Sequence, residues 1–283
     1  MSLELCILAS GSSGNCAIVR TPAGVILVDA GIGPRTVARR LEGTGLTLAD
    51  LRAICLTHLD GDHFTLNWAA TIVKLGLRVY CHARRVGHLV QLVGEAEGFA
   101  ALIHSFDHRV FQPLDGLAAH SVAFEHDEHG SHGFLLEGFG QRIGYATDLG
   151  RVPVELTERF LGVDILALES NYDPTMQLAS PRPYFLKQRI MGGSGHLSNQ
   201  QAFDVVRLLL NKCEQAARPL PSHIALLHRS RQCNCPRIVR KLFERDARIA
   251  ARLTLCEQGE RSEWMRPRAV APLGGEQLAL AWG

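Results

Sequence analysis

The chain has 283 residues, 46% of them hydrophobic and 20% charged, with a formal net charge of +2. The length suffices for a sizeable core, while the near balance of charge excludes a protein that coats nucleic acid by bulk basicity. No apolar run reaches the ~18 residues of a membrane helix and the start "MSLELCILASGSSGN" lacks a signal-peptide layout, so a cytoplasmic protein with no membrane partner is expected.

Short apolar and β-branched runs at 4–10, 16–20 and 25–31, separated by glycine-bearing turns, predict an antiparallel start. A helix is predicted from Pro34, followed by a strand at 53–57, a helix across 64–76 and a strand at 77–81. Later strands are expected at 121–126, 132–138, 141–147, 164–170 and 223–228, with helices near 153–160, 199–215 and 236–250. With no linker, repeat or low-complexity tract between them, one α/β domain over 1–283 is the economical reading. The segment 236–252 carries Arg237, Arg240, Lys241, Arg245, Arg248 and Arg252 at helical spacing, read as a solvated face in preference to a phosphate-tracking one. The eight cysteines are scattered, several inside apolar runs, which fits reduced thiols. "CNC" at 233–235 is too tightly spaced for an ordinary zinc knuckle.

Placing polar residues on this map shows a pattern. The strands at 53–57, 121–126, 141–147, 164–170 and 223–228 end in or just before His58, His126, Asp148, Glu169 and His228. Ligands gather at that edge in layered α/β proteins, and imidazole with carboxylate is the donor set of zinc, manganese and ferrous iron. "THLDGDHF" adds Asp60, Asp62 and His63 on the same turn as His58. Asp62 could equally cap a following helix, but four such groups together favour a metal site.

Here the sequence resembles the metallo-β-lactamase superfamily. "THLDGDHF" is similar to its H-x-H-x-D-H signature, and "VILVDAG", "HDEHGSHGF", "YATDLG", "ESNYDP", "GHLSN" and "LLHRSRQCN" continue the resemblance in order, from "LASGSSGN" to a last strand near "SEWMR". The set is similar to the YycJ/WalJ-type branch of exonuclease-like hydrolases and more distantly to ribonuclease Z. The resemblance implies a four-layer αββα sandwich and two divalent metal ions, zinc, manganese or iron. His58, Asp60 and His126 would hold one metal, Asp62, His63 and His228 the other, Asp148 would bridge them, and Asp29 would orient the histidine turn. His129 and His132 compete with His126, which is preferred because it stands directly before an aspartate as in the family. Asp60 departs from the family, where histidine is usual. A carboxylate still ligates, and its added anionic oxygen favours harder ions over zinc.

Two metals ~3.5 to 4 Å apart can share a hydroxide nucleophile and clamp the oxygens of an in-line displacement, with Asp62 placed to orient that hydroxide. The resemblance to ribonuclease Z assigns His196, supported by Glu169, to protonate the leaving group. Asn171, Ser230 and Asn234 belong to the same motifs and either bind substrate or brace loops. The turn "SGSSGN" lacks the lysine of a phosphate loop and the context of a serine nucleophile, so it is expected to be a hairpin turn beside the metal centre, lending Ser13 and backbone amides to a phosphate. The expected enzyme is a phosphodiesterase or exonuclease acting on DNA, from a 5′ end, with Arg182, Lys187, Arg189, Arg229 and Arg231 near its mouth. The alternatives are a metal-dependent hydrolase of a small ester, thioester, lactone or cyclic phosphodiester, and a binding protein whose metal site Asp60 has weakened.

Overall fold

The computed structural model describes residues 2–94, 96–107, 110–126 and 130–267. In its first strand, β1 (Glu4–Ala9), Leu5 and Ile7 point to one face and Cys6 and Leu8 to the other, and all four are buried. A strand apolar on both faces lies between two layers. The same holds in β4 (Leu51–Cys55), where Ala53 and Cys55 oppose Ile54, and in β11 (Ile165–Glu169), where Ile165 and Ala167 oppose Leu166 and Leu168.

The first sheet runs β1, β2 (Cys16–Thr21), β3 (Gly24–Val28), β4, β5 (Arg78–His82) and β6 (Ile103–Phe106), antiparallel at the start and parallel from β3 onward. The second begins with β7 (Val110–Leu114), β8 (Leu117–Phe124), β9 (Ser131–Gly138) and β10 (Gln141–Ala146), all antiparallel. It continues in parallel through β11, β12 (His223–Leu227) and β13 (Leu253–Leu255). The inner faces of the two sheets share one core, in which Leu5, Val28 and Ala53 meet Phe134, Ile143 and Ala225.

Helices α1 (Pro34–Leu41), α2 (Ala69–Leu75) and α3 (Val86–Val93) cover the outside of the first sheet through Val37, Ile72 and Leu89. The outside of the second is covered by α4 (Val154–Arg159), α7 (Asn199–Gln215), α8 (Pro236–Phe243) and α9 (Ala247–Ala250), through Leu156, Phe203, Val239 and Ile249. Between β11 and α7 lie α5 (Pro174–Ala179) and α6 (Tyr184–Met191). The result is the four-layer αββα order. Among the described residues, no helix is long and apolar enough to cross a membrane.

Two expected helices are shorter in the structure. The helix across 64–76 begins only at Ala69, after one 3-10 turn at Leu66–Trp68, because Phe64 forms a bridge with Ala30 and the Thr65 amide donates to the Ala30 carbonyl at 3.1 Å. That pairing keeps 64–65 extended and leaves Asp62 remote from the helix start it could have capped. The helix across 236–250 breaks at Glu244, and Asp246 caps a fresh turn by accepting the Arg248 amide at 3.0 Å. Strand β7 went unforeseen because it contains Pro113; as an edge strand it tolerates the missing donor. The stretch near "SEWMR" gives an isolated bridge, Met265 exchanging both backbone bonds with Leu5.

Candidate metal centre

The ligand turn leaves β4 at Cys55 and is fixed from β3. Asp29, just past β3, accepts the Thr57 amide at 2.8 Å and lies 2.9 Å from the Thr57 hydroxyl. Its other contact is His63 Nδ1, at 2.7 Å with both side chains fully buried. A donated Nδ1–H leaves His63 Nε2 as the nitrogen that could bind a metal, so one buried carboxylate sets both the tautomer and the ring direction. From the turn at 10–15, the Asn15 amide donates to the Asp62 carbonyl at 2.7 Å and its side-chain nitrogen reaches Asp62 Oδ2 at 3.2 Å. Gly31 makes this approach feasible, since a Cβ there would stand 1.8 Å from the Asp62 carbonyl oxygen. Gly31→Ala is therefore expected to push the turn out of register, lowering metal affinity at least about tenfold and destabilising the fold by the ~1–3 kcal/mol typical of overpacking. Metal titration with thermal melting checks this; unchanged affinity would mean that the turn is not the ligand platform.

The later strands close over this turn. His126, past β8, donates from Nδ1 to the Gly195 carbonyl at 2.8 Å, which frees its Nε2 for a ligand. Asp148, past β10, splits its carboxylate: Oδ2 lies 2.8 Å from His63 Nε2, and Oδ1 lies 2.9 Å from His228 Nδ1 and 3.2 Å from His196 Nδ1. Glu169, the last residue of β11, is wholly buried; Oε1 lies 2.8 Å from His196 Nδ1 and 3.0 Å from His228 Nδ1, while Oε2 accepts the Leu197 amide at 3.1 Å. His228, past β12, is anchored by its amide donating to Ser10 Oγ at 2.7 Å. Asp29, Asp148 and His228 all take left-handed backbone, with φ of 62°, 52° and 52°, a conformation that Asp, Asn and His adopt more readily than other side chains.

Two triads result. His58, Asp60 and His126 each offer a ligand atom, all within 4.8 Å of one another, and Asp62, His63 and His228 do the same. Asp148 joins His58 and His63 in a third such group, and Glu169, His196 and His228 in a fourth. The Asp60 carboxylate stands 3.8 Å from His58 Nε2 and is 39% exposed. His132, by contrast, stacks on His82 at 4.4 Å between ring centroids; His129 and Asp127 lie outside the described residues.

Electrostatics at the centre favour cations. Burial, and then the neighbouring His63, hold His58 well below its ordinary range, so it is a neutral donor. Burial works against charge on His63 and His228 too, but Asp29 and Asp148 outweigh it for His63, and Asp148 for His228, holding both well above theirs. Burial would raise Asp148, yet His228 and His63 hold it well below the usual carboxylate range. The same carboxylates that favour protons on these imidazoles would favour a divalent ion, which binds by displacing those protons. His228 Nε2 is buried with no hydrogen-bond partner, 3.4 Å from Asp62 Oδ2. Nitrogen and oxygen donors around such an orphaned atom fit a divalent ion. His196 is depressed by burial but lifted more by Glu169 and Asp148, to about 9.

Asn171, Ser230 and Asn234 are buried behind this centre. Asn171 Nδ2 donates to the His228 carbonyl at 2.7 Å, Ser230 Oγ accepts the Cys233 amide at 3.1 Å, and Asn234 Nδ2 donates to the Asn171 carbonyl at 2.8 Å. These bonds brace the loops after β11 and β12. Ser13 is exposed on the 10–15 turn. Asn15 on the same turn and Thr57 beside His58, which hold the turn at 57–63 in place, were not anticipated from the sequence, although the position of Thr57 next to His58 was an available signal.

Residues 25–224 match the model of the beta-lactamase superfamily domain. The chain belongs to this superfamily. The β-lactamase superfamily member is 27% identical over 203 residues to exodeoxyribonuclease YycJ of Bacillus anthracis, covering 71% of this chain and 75% of that one. It is 25% identical over 213 residues to exodeoxyribonuclease WalJ of Streptococcus pneumoniae, covering 74% and 78%. Among solved structures it resembles a diphosphatase of the PhnP family, with TM-score 0.63, 17% identity and 94% and 98% of the two chains covered. Human tRNase Z, short form, gives TM-score 0.59, 15% identity and 92% and 98% coverage. These likenesses show the metallo-β-lactamase fold, a metal-dependent hydrolase fold that implies divalent ions, and this superfamily member is a hydrolase of that fold.

Proposed function

We propose that the protein is a two-metal phosphodiesterase that shortens DNA from a strand end. The observation that carries this reading is the His196–Glu169 pair placed against Asp148, beside both ligand triads. His58, Asp60 and His126 would hold one ion, Asp62, His63 and His228 the other, with Asp148 between. Bound there, divalent ions supply an activated water and neutralise the phosphate oxygens. Asp62 is a quarter exposed, unlike the buried histidines around it, and so can accept a proton from the attacking water and aim it. Glu169 engages His196 at Nδ1, which turns Nε2 outward; that ring is 19% exposed and presents Nε2–H to the departing oxygen. The names of the YycJ and WalJ relatives support a DNA substrate.

The test is incubation of metal-loaded protein with end-labelled single and double strands. Progressive shortening, absent in His58→Ala, is expected. If manganese, iron and zinc forms all leave the strands intact, the reading fails. Asp60 bears on which ion is held, because its hard oxygen replaces an imidazole suited to zinc. Asp60→His is expected to slow zinc loss to a chelator and to reduce the preference for manganese or iron. An unchanged exchange rate would place Asp60 outside the coordination shell.

A further inference from the structure

Helix α6 ends against the catalytic loop and turns an unusual face outward. Leu186, Ile190 and Met191 pack inward on Tyr172 and Cys233. The opposite face carries Tyr184, Phe185, Gln188 and Arg189, and the two rings are 75% and 73% exposed. Adjacent aromatics this open, on one turn of an ordered helix, are a binding surface more often than an accident of composition. On that face Arg189 supplies a cation and the helix carries no acidic residue, whereas Lys187 lies off the face with its Nζ donating to the Leu178 carbonyl at 2.6 Å and Arg182, just before the helix, is held by Gln232 and Gln177. Rings beside cations are the complement of an unpaired nucleic acid strand, whose bases stack and whose phosphates need positive charge.

The face is also continuous with the site. The His196 amide donates to the Ile190 carbonyl at 3.1 Å, and the Gly195 carbonyl accepts from His126. A Cβ on Gly195 would stand 2.6 Å from the Arg189 carbonyl, so the chain folds directly back under the last turn of α6. At ~1.5 Å per helical residue, Tyr184 lies about 9 Å along the axis from Ile190. A strand whose terminal phosphodiester reached His196 would pass over α6 within a few nucleotides.

We propose that the outward face of α6 is the docking platform for the unpaired end of the DNA substrate, with bases stacked on Tyr184 and Phe185 and a phosphate held by Arg189. The inference rests on the nuclease reading and narrows it to single-stranded ends.

Fluorescence anisotropy of a labelled single-stranded oligonucleotide on the metal-loaded protein, in wild type and Tyr184→Ala/Phe185→Ala, tests it. Melting temperature and metal content of the variant serve as the control for folding. Loss of two stacking contacts is expected to raise Kd at least about 30-fold, whereas Tyr184→Trp/Phe185→Trp retains binding and the flexible pair Tyr184→Leu/Phe185→Leu does not. Unchanged strand binding in the alanine variant overturns the proposal. So does rescue by leucine, which would mean generic apolar contact, or a wild-type dimer that the alanine variant loses while strand affinity holds, which would make the face a self-interface. Wild type that hydrolyses a chromogenic phosphodiester yet neither binds nor cuts any strand overturns the nuclease reading and this inference with it; wild type that cuts strands with α6 unneeded overturns this inference alone.

Discussion

Asp148→Asn is expected to empty both metal positions together. If the ~10–16 kcal/mol of a tight divalent site is shared among about four ligands, each contributes ~2.5–4 kcal/mol, or about 10²–10³-fold in affinity. Asp148 offers one oxygen toward His63 and the other toward His228 and His196, so its loss falls on the whole cluster. Asparagine accepts the left-handed backbone that Asp148 adopts at φ 52°, which keeps the change electrostatic. Metal analysis after gel filtration checks it. Two equivalents retained by the variant would show that the triads bind independently and that Asp148 does not bridge them.

His196→Gln is expected to lower kcat on DNA by about 10²–10⁴-fold, the usual yield of a positioned acid. Metal content should hold, because the two triads do not include His196. The loss should be far smaller on a p-nitrophenyl phosphodiester, whose leaving group departs without a proton. Sign and direction of the pH effect follow from the pair: Glu169 and Asp148 outweigh burial and hold His196 protonated at neutral pH, so wild-type activity falls as pH rises through the range where that proton is lost. The variant should lack this alkaline limb. Equal losses on both substrates, or metal lost in parallel, would make His196 a ligand or a brace.

The candidate ligand and acid residues, which the structure brings together, were readable because their signals are local. His58, Asp60, Asp62 and His63 share one turn, and His126, Asp148, Glu169 and His228 each end a recognisable apolar strand. The groups that aim them were harder to read, since they act across long sequence separations through single hydrogen bonds. Asn15 reaches Asp62 and Ser10 receives the His228 amide, and nothing in "SGSSGN" marks either residue. Gly31 and Gly195 matter for what they lack, a Cβ that would strike Asp62 or Arg189. Helix lengths failed for a related reason: the Phe64 bridge to Ala30 overrides a sequence that would otherwise continue as helix.

The left-handed residues Asp29, Asp148 and His228 bear on what completes the centre. Such backbone costs on the order of 1–3 kcal/mol per residue and persists only where the surroundings impose it. Here the constraints are remote: Asp29 N bonds Cys55, and His228 N bonds Ser10 from the opposite sheet. The centre is therefore complete only with the two sheets docked, as the His228–Ser10 bond requires. An ion held there would act as a ligand of the native state, so the melting temperature is expected to rise with ion concentration.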